Sequence, residues 1–526
     1  MPRVRQTRLA WKRKTPQNKN FAKFLGARGI PKALPLAGLF VSGAGLSLSG
    51  KMKQGSCTAR PLGAYDRVMR LIAFLLLVLS TPLAAQQVPT SAAQMQLSFV
   101  PLVKQAAPAV VNIYAKIMAE PRRTPLQSDP FFGRFFRDPF SERPRVQNSL
   151  GSGVILSPDG IVVSNYHVVG MATEITVVLN DRREYSAEVL LGDQEADLAI
   201  LQIKAEDPLP FLPLRGSDTV EVGELALAIG NPFGVGQTVS SGIVSGLARS
   251  RAGGGNSGLG YFLQTDAPIN PGNSGGALID MAGRLIGINT SILTRSGGSN
   301  GIGFAIPSDL VAAFVRQARE GAKVFGRPWA GIAGQPVDAD MAGSLGLDRP
   351  SGIIVSGLHP ASPFLAAGLT VGDVISHVAG QEVNTPAEMI YRMSVAGLGQ
   401  QAQVSFLRGA DPAEVMVPMI AAPDRPSREE RVLGDRSLLP GLRLNRINPA
   451  VISEMNLPLD SAGVAVVDAG RFGPRVGLRA GDVILSVNGV ETLRPAQVED
   501  QLASGTRRFE ILIQRGDRRS LLRFRV

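Results

Sequence analysis

Short apolar runs separated by glycine, proline, asparagine and aspartate fill residues 151–305, at 153–156, 161–163, 175–179, 187–191, 198–203, 225–229 and 285–288. Runs this short and this regularly interrupted predict many short strands, and therefore a sandwich or a barrel. Upstream, 109–117 (Ala-Val-Val-Asn-Ile-Tyr-Ala-Lys-Ile) reads as another strand, and 98–106 as a short helix with Ser98 at its N-cap. The period changes at 308–321, where Leu310, Val311, Phe314, Val315 and Ala318 share one helical face between an N-cap at Ser308 and Gly321 past the end. A helix thus closes a β-rich domain assigned to 86–322.

Beyond that helix the chain repeats itself. Gly368-Leu-Thr-Val-Gly-Asp-Val-Ile-Ser-His-Val-Ala-Gly380 matches Gly477-Leu-Arg-Ala-Gly-Asp-Val-Ile-Leu-Ser-Val-Asn-Gly489 at an offset of 109, which implies two copies of one domain, 323–422 and 437–526. The stretch 422–431 (Ala-Pro-Asp-Arg-Pro-Ser-Arg-Glu-Glu-Arg) is charged, proline-bearing and almost without apolar residues, so 423–436 reads as a linker. A polar loop over 120–148 carries two phenylalanine pairs in Asp129-Pro-Phe-Phe-Gly-Arg-Phe-Phe-Arg-Asp138. Those rings either dock on their own domain or meet a neighbouring subunit.

Charge narrows the partners. The net charge is +12, yet residues 1–70 hold 15 Lys/Arg against the single acid Asp66, and the remainder balances at 40 basic to 42 acidic. No basic surface for tracking phosphates spans the folded part, so no nucleic-acid partner is expected. Arg67 and Arg70 precede the apolar run 71–79, followed by small residues near Ala84 and Ala85, which is the form of a secretory signal peptide over 68–85. Nine uninterrupted apolar residues fall short of the ~20 that span a bilayer, so export is favoured over a permanent anchor. The preceding 1–67 is either a basic leader or the product of a start placed too far upstream, with Val68 or Met69 as the true beginning. Cys57, the only cysteine, lies there, so an exported chain offers no disulfide or thiol site. His167, His359 and His377 are the only histidines and stand far apart, so no metal site and no other cofactor is expected.

The candidate chemistry sits in Asp266-Ala-Pro-Ile-Asn-Pro-Gly-Asn-Ser-Gly-Gly-Ala277, where Ser274 stands among glycines that let backbone amides crowd a reacting carbonyl. A serine hydroxyl needs an adjacent base and an orienting carboxylate to become a nucleophile. His167 in Ser164-Asn-Tyr-His-Val-Val169 and Asp197 in Ala196-Asp-Leu-Ala-Ile-Leu201 supply both, in the order His, Asp, Ser.

With Gly301-Ile-Gly-Phe-Ala-Ile-Pro-Ser308 and the duplicated Gly-Leu-x-x-Gly-Asp-Val-Ile module added, the chain from about 99 to 526 resembles the HtrA (Do-like) serine proteases. The resemblance implies a mainly β chain, a chymotrypsin-like double β-barrel followed by two PDZ domains. Ser274 would be the nucleophile, His167 the general base and Asp197 its orienter. The oxyanion loop would comprise Gly272 and Asn273, with the amides of Gly272 and Ser274 facing the oxyanion. The segment 288–302 resembles the wall of the specificity pocket, and its Ile292 and Leu293 favour small aliphatic side chains. Trp329, Ala330, Gly331 and Ile332, with Arg327 nearby, fit a PDZ loop that holds a peptide carboxylate. Leu439-Pro-Gly-Leu442 fits less well because Pro440 has no N–H, which points the second copy toward assembly. Glycine-rich 250–260 would be a regulatory loop or a plain surface loop.

Two features depart from the family: Ser164 and Tyr166 replace its usual Thr-Asn-Asn before the histidine, and the protruding loop within 120–148 is abbreviated or altered. The resemblance implies an ATP-independent periplasmic endopeptidase of unfolded or misfolded envelope proteins, also binding peptide carboxyl termini, as a homo-oligomer of one or more trimers. A chaperone that holds clients with little proteolysis, or a PDZ scaffold, is the alternative, against which the complete triad argues.

Overall fold

The computed structural model describes residues 98–119, 145–231, 236–249, 261–270, 272–292, 301–504 and 506–525. All of them belong to one compact unit, Ala92–Val526. The leader, the signal peptide, most of the phenylalanine-bearing loop (120–144), the glycine-rich 250–260 and Leu293 lie outside the described residues.

The short apolar runs become two closed six-stranded barrels. The first contains β1 (Val110–Ala119), β2 (Arg145–Ile155), β3 (Ile161–Ser164), β4 (Glu174–Val178), β5 (Glu184–Asp193) and β6 (Leu198–Ile203), in the order β1-β2-β3-β6-β5-β4. The second contains β7 (Leu225–Gly230), β8 (Thr238–Arg249), β9 (Phe262–Thr265), β10 (Ala277–Ile279), β11 (Leu285–Ile292) and β12 (Gly303–Pro307), in the order β10-β11-β12-β9-β8-β7. Val110, Val154, Leu198 and Ile200 of the first barrel share one buried cluster with Leu227, Ile229, Ile279 and Ile288 of the second. That shared core fixes the cleft between the barrels, where their loops meet.

The helix Ser308–Arg319 closes this core through Leu310, Val311, Phe314 and Ala318, as its period predicts. Its N-cap is Pro307 rather than Ser308. The Ser308 hydroxyl donates to the Arg215 carbonyl instead, so the residue fastens the helix to the barrel. Ser98 likewise precedes the cap of the helix Val100–Ala106, which is Phe99, and accepts from the Val100 N–H at 3.2 Å.

The first repeat is a sheet ordered β13 (Ile332–Pro336), β14 (Ile353–Leu358), β15 (Val374–Val378), β17 (Gln401–Arg408), β18 (Asp411–Pro418), with β16 (Gln381–Glu382) beside β15. The second runs β19 (Arg431–Val432), β20 (Arg443–Arg446), β21 (Val464–Asp468), β22 (Val483–Val487), β24 (Arg508–Arg515), β25 (Arg518–Arg525), with β23 (Val490–Glu491) beside β22. β19 falls inside the stretch assigned to the linker. A strand at a sheet edge tolerates charge because one of its sides stays in water, which is why composition hides it.

The first repeat docks on the barrels. Tyr391 of its helix Pro386–Ala396 is fully buried and stacks on Tyr261, with ring centroids 3.9 Å apart. Arg392 lies against both rings, at 5.2 Å from the Tyr261 centroid and 5.1 Å from that of Tyr391, and pairs with Asp218.

Candidate active site

His167 rides on a one-turn helix, Tyr166–Val169, set directly after β3. Asp197 precedes β6 with φ +53°, a left-handed conformation uncommon for a residue with a Cβ. The turn holds it there by two contacts: Asn165 Nδ2 donates to the Asp197 carbonyl at 2.9 Å, and the Ala196 N–H donates to Asp193 Oδ1 at 2.7 Å. So placed, the Asp197 carboxylate stands 2.9 Å from His167 Nδ1 through each of its oxygens and accepts the His167 backbone N–H at 3.0 Å. Thr290 Oγ1 donates to Asp197 Oδ2 at 2.7 Å. An imidazole bonded this way carries its Nδ1 proton toward the carboxylate and leaves Nε2 free to accept another.

Ser274 lies on the loop between Gly272, at φ +98°, and Gly275, at φ +82°. A Cβ on Gly275 would fall 2.1 Å from the Ser152 carbonyl oxygen, so only glycine lets the loop turn against β2. Ser152 seats the loop twice: its N–H donates to the Ser274 carbonyl at 2.9 Å and its hydroxyl to the Gly272 carbonyl at 2.7 Å. The Ser274 hydroxyl donates to the Thr290 carbonyl at 3.0 Å. Thr290 therefore touches both ends of the triad, Asp197 through its hydroxyl and Ser274 through its carbonyl.

The loop amides divide by partner. Asn273 donates its N–H to the Asn270 carbonyl at 3.0 Å, so in this geometry that amide is not an oxyanion donor. Its buried side chain accepts from Thr238 Oγ1 at 2.9 Å and supports the loop instead. The N–H groups of Gly272 and Ser274 have no hydrogen-bond partner among the described residues.

Of the specificity residues, Ile292 ends β11 with its backbone paired to Gly303, while its side chain and Leu293 lie outside the description. Trp329, Ala330, Gly331 and Ile332 are brought together at the start of β13. Trp329 is buried, Ser362 Oγ donates to the Ala330 carbonyl at 2.6 Å, the His359 N–H donates to the Gly331 carbonyl at 2.9 Å, and Gly331 has φ +60°. Arg327 is not part of that loop, because its guanidinium reaches Asp193 at 2.6 Å and Glu195 at 3.2 Å on the turn that carries Asp197. Tyr166 lays its ring over Gly170 and Gly192, where a Cβ would come within 2.4 and 3.2 Å of it. The roles of Thr290, Ser152, Asn165 and Asp193 carry no local signature, since a lone Thr, Ser, Asn or Asp with a partner far along the chain looks like any surface polar residue.

Comparison with known proteins places the domains in named families. Residues 151–288 match the trypsin-like peptidase domain, and 330–419 and 463–515 each match a PDZ domain. A probable periplasmic serine endoprotease DegP-like of Pseudomonas fluorescens is 36% identical over 445 residues, covering 80% of this chain and 91% of the relative. The periplasmic pH-dependent serine endoprotease DegQ of Escherichia coli is 36% identical over 425 residues, 80% of this chain and 90% of its own. Among solved structures, the HtrA-type protease AlgW with decapeptide is 40% identical, covers 62% of this chain and 99% of its own, and superposes with a TM-score of 0.46.

Proposed function

Since the chain belongs to the DegP-like, HtrA-type family of periplasmic serine endoproteases, we propose that its peptidase activity is carried by Ser274, His167 and Asp197 and is directed at unfolded or misfolded polypeptides. The observation that carries this reading is the linkage through Thr290, which ties the Asp197 carboxylate, 2.9 Å from His167 Nδ1, to the hydroxyl of Ser274.

For acylation the Ser274 hydroxyl turns from the Thr290 carbonyl toward His167 Nε2, gives up its proton there and attacks the scissile carbonyl. Asp197 keeps the productive tautomer and stabilises the imidazolium that forms. The amides of Gly272 and Ser274 receive the oxyanion, a contribution worth about 2.7–4 kcal/mol per donor in such sites. His167 then protonates the leaving amine, and water, activated by the same base, releases the acyl group. The loop 329–332 takes peptide carboxyl termini as an added strand on β13, supported by the edge position of that strand and by the buried Trp329 that anchors the loop. Assembly into one or more trimers belongs to the same proposal and rests on the resemblance.

Ser274→Ala tests the assignment, since it deletes one oxygen without enlarging any side chain. The variant is expected to lose cleavage of unfolded casein and labelling by an organophosphonate serine probe while melting like the unaltered protein. Retained cleavage by a folded variant would move the nucleophile elsewhere.

A further inference from the structure

A peptide bound to a PDZ domain lies antiparallel on the edge strand, places its last residue against the loop amides and presses alternate side chains toward the neighbouring helix. The second PDZ domain already contains such a peptide. β19 pairs antiparallel with β20, Arg431 opposite Leu444 and Val432 opposite Arg443. One residue on, the Leu433 N–H donates to the Leu442 carbonyl at 2.9 Å and the Gly441 N–H donates to the Leu433 carbonyl at 2.8 Å. Gly441 belongs to the loop that would face a carboxylate. At the other end the Arg446 N–H donates to the Arg428 carbonyl at 2.6 Å, so the segment follows the whole edge.

Side chains complete the match. Leu433 is 1% exposed within the domain core, whereas its neighbour Val432 is 54% exposed. Arg431 pairs with Glu499 on the helix Pro495–Leu502, the opposite wall. Glu429 pairs with Arg494, the cap of that helix, at 2.8 Å, and with Arg446 at 3.2 Å. We propose that the peptide groove of the second PDZ domain is complete and is occupied by the chain's own segment 428–433, with Leu433 seated as the terminal residue of a ligand.

The first domain shows the alternative. Its β13 ends the sheet, and the residues before its loop are engaged elsewhere, Phe325 stacked 3.9 Å from Phe314 and Arg327 on Asp193. Pro440 is consistent with the internal occupant, because a neutral carbonyl is satisfied by the single amide of Gly441 where a carboxylate gains from several. Leu433 re-enters its own loop through the turn 434–438, closed by the Ser437 N–H on the Gly434 carbonyl at 2.9 Å. So short a tether gives an effective concentration in the millimolar range or above, which a free peptide of ordinary affinity does not overcome. Among the described residues, each chain therefore presents one open groove, at Trp329–Ile332, and a second that opens only when its occupant leaves.

The inference rests on the PDZ reading but not on the peptidase chemistry, and its test uses the full chain with Ser274→Ala. The probe is the peptide Arg-Glu-Glu-Arg-Val-Leu, a copy of 428–433 with a free carboxylate. Glu429→Arg with Arg431→Glu turns the three ion pairs that these two residues of the internal segment make into repulsions while leaving Glu499, Arg494 and Arg446 to receive the probe. Calorimetry is expected to show binding at least tenfold tighter to this variant than to the unaltered chain, with Trp329 fluorescence separating any binding at the first domain. Equal binding by the two chains, each folded by its melting curve, overturns the proposal. A second measurement does not depend on the charge-reversed variant. Val432 and Arg443 are exposed partners flanked by hydrogen-bonded pairs, a position where Cα atoms lie about 4.5 Å apart, within reach of a disulfide. Val432→Cys with Arg443→Cys is expected to cross-link on mild oxidation, and thiols that stay free would remove the segment from the groove. If neither chain binds the probe while the cross-link forms, the pairing stands and the idea that this groove recognises peptides fails.

Discussion

Thr290 shows how much of the site one unremarked side chain can hold. Its hydroxyl and its carbonyl act on different members of the triad, and substitution separates them. Thr290→Val keeps the shape and the carbonyl but removes the donor to Asp197 Oδ2, 2.7 Å away. A hydrogen bond to a charged group is worth about 1.5–3 kcal/mol, so kcat/KM is expected to fall by about tenfold or more with KM little changed, and Thr290→Ser to recover most of it. Full activity in the valine variant would show that Asp197 is positioned without it. His359 offers a pH test at the same scale. Burial holds its imidazole below the ordinary histidine range, and its Nδ1 accepts the Ala361 N–H at 3.0 Å, which only an unprotonated nitrogen can do. Because the folded form binds the proton less tightly than the unfolded one, the stability this group allows is fully present above about pH 6.5 and is lost as pH falls through the lowered folded value. Its ring stands edge-on to Trp329 at 5.3 Å, so Trp329 emission is expected to titrate with a midpoint below 6.5 and to stop doing so in His359→Gln. A midpoint at or above 6.5 would contradict the burial argument.

At the level of elements, what could be read in the sequence follows from how local each cause is. The strands β3, β6 and β7 coincide with apolar runs because both of their faces meet a core, β4 shows itself by alternation with Ile175 and Val177 inward, and the helix Ser308–Arg319 declares itself by period. β8 does not, since Thr-Val-Ser-Ser-Gly-Ile-Val-Ser-Gly-Leu-Ala-Arg mixes small and polar residues that only barrel closure organises. The nucleophile loop was legible in its glycines, although what each one avoids was not. Gly275→Ala must place a Cβ 2.1 Å from the Ser152 carbonyl oxygen and 2.6 Å from Ser164 Oγ at a φ of +82°, and the Ser152 backbone cannot give way as a flexible side chain would. The variant is expected to lose serine-probe labelling and more than about 2 kcal/mol of stability. Gly343 is the control: it lies in the helix Ala339–Leu345 with nothing within 4 Å of an added Cβ, so Gly343→Ala is expected to be neutral or stabilising by up to about 1 kcal/mol. Melting curves with probe labelling compare the pair, and a Gly275→Ala protein that labels normally would show the loop to be more yielding than its contacts indicate.

For the whole molecule, the sequence announces the parts and is silent on how they join. The triad, the repeat and the closing helix each carry a short signature, but Tyr391 reads as an ordinary helix-face aromatic, and its partner Ser217 lies 174 residues earlier. The joint is built around a buried cation. Arg392 is 7% exposed, pairs with Asp218, donates to the Tyr261 hydroxyl at 3.2 Å and lies against two stacked rings, while the Ser217 hydroxyl bridges Tyr391 and Asp309 at 3.2 and 2.7 Å. Deleting one side of such a pair strands the other and empties the space beside the rings, at a cost of about 3 kcal/mol. That cost falls on docking, because Arg392 belongs to one domain and Asp218 and Tyr261 to another. Arg392→Ala is therefore expected to leave each fold intact but to uncouple the first PDZ domain from the barrels, which scanning calorimetry would register as a shared transition splitting in two. Arg392→Lys restores the charge without the planar fork that reaches Asp218 and Tyr261 together, and should give an intermediate profile. An unchanged melting profile in Arg392→Ala would mean that the packing of the helices Ser308–Arg319 and Pro386–Ala396 holds the two domains together without the cation.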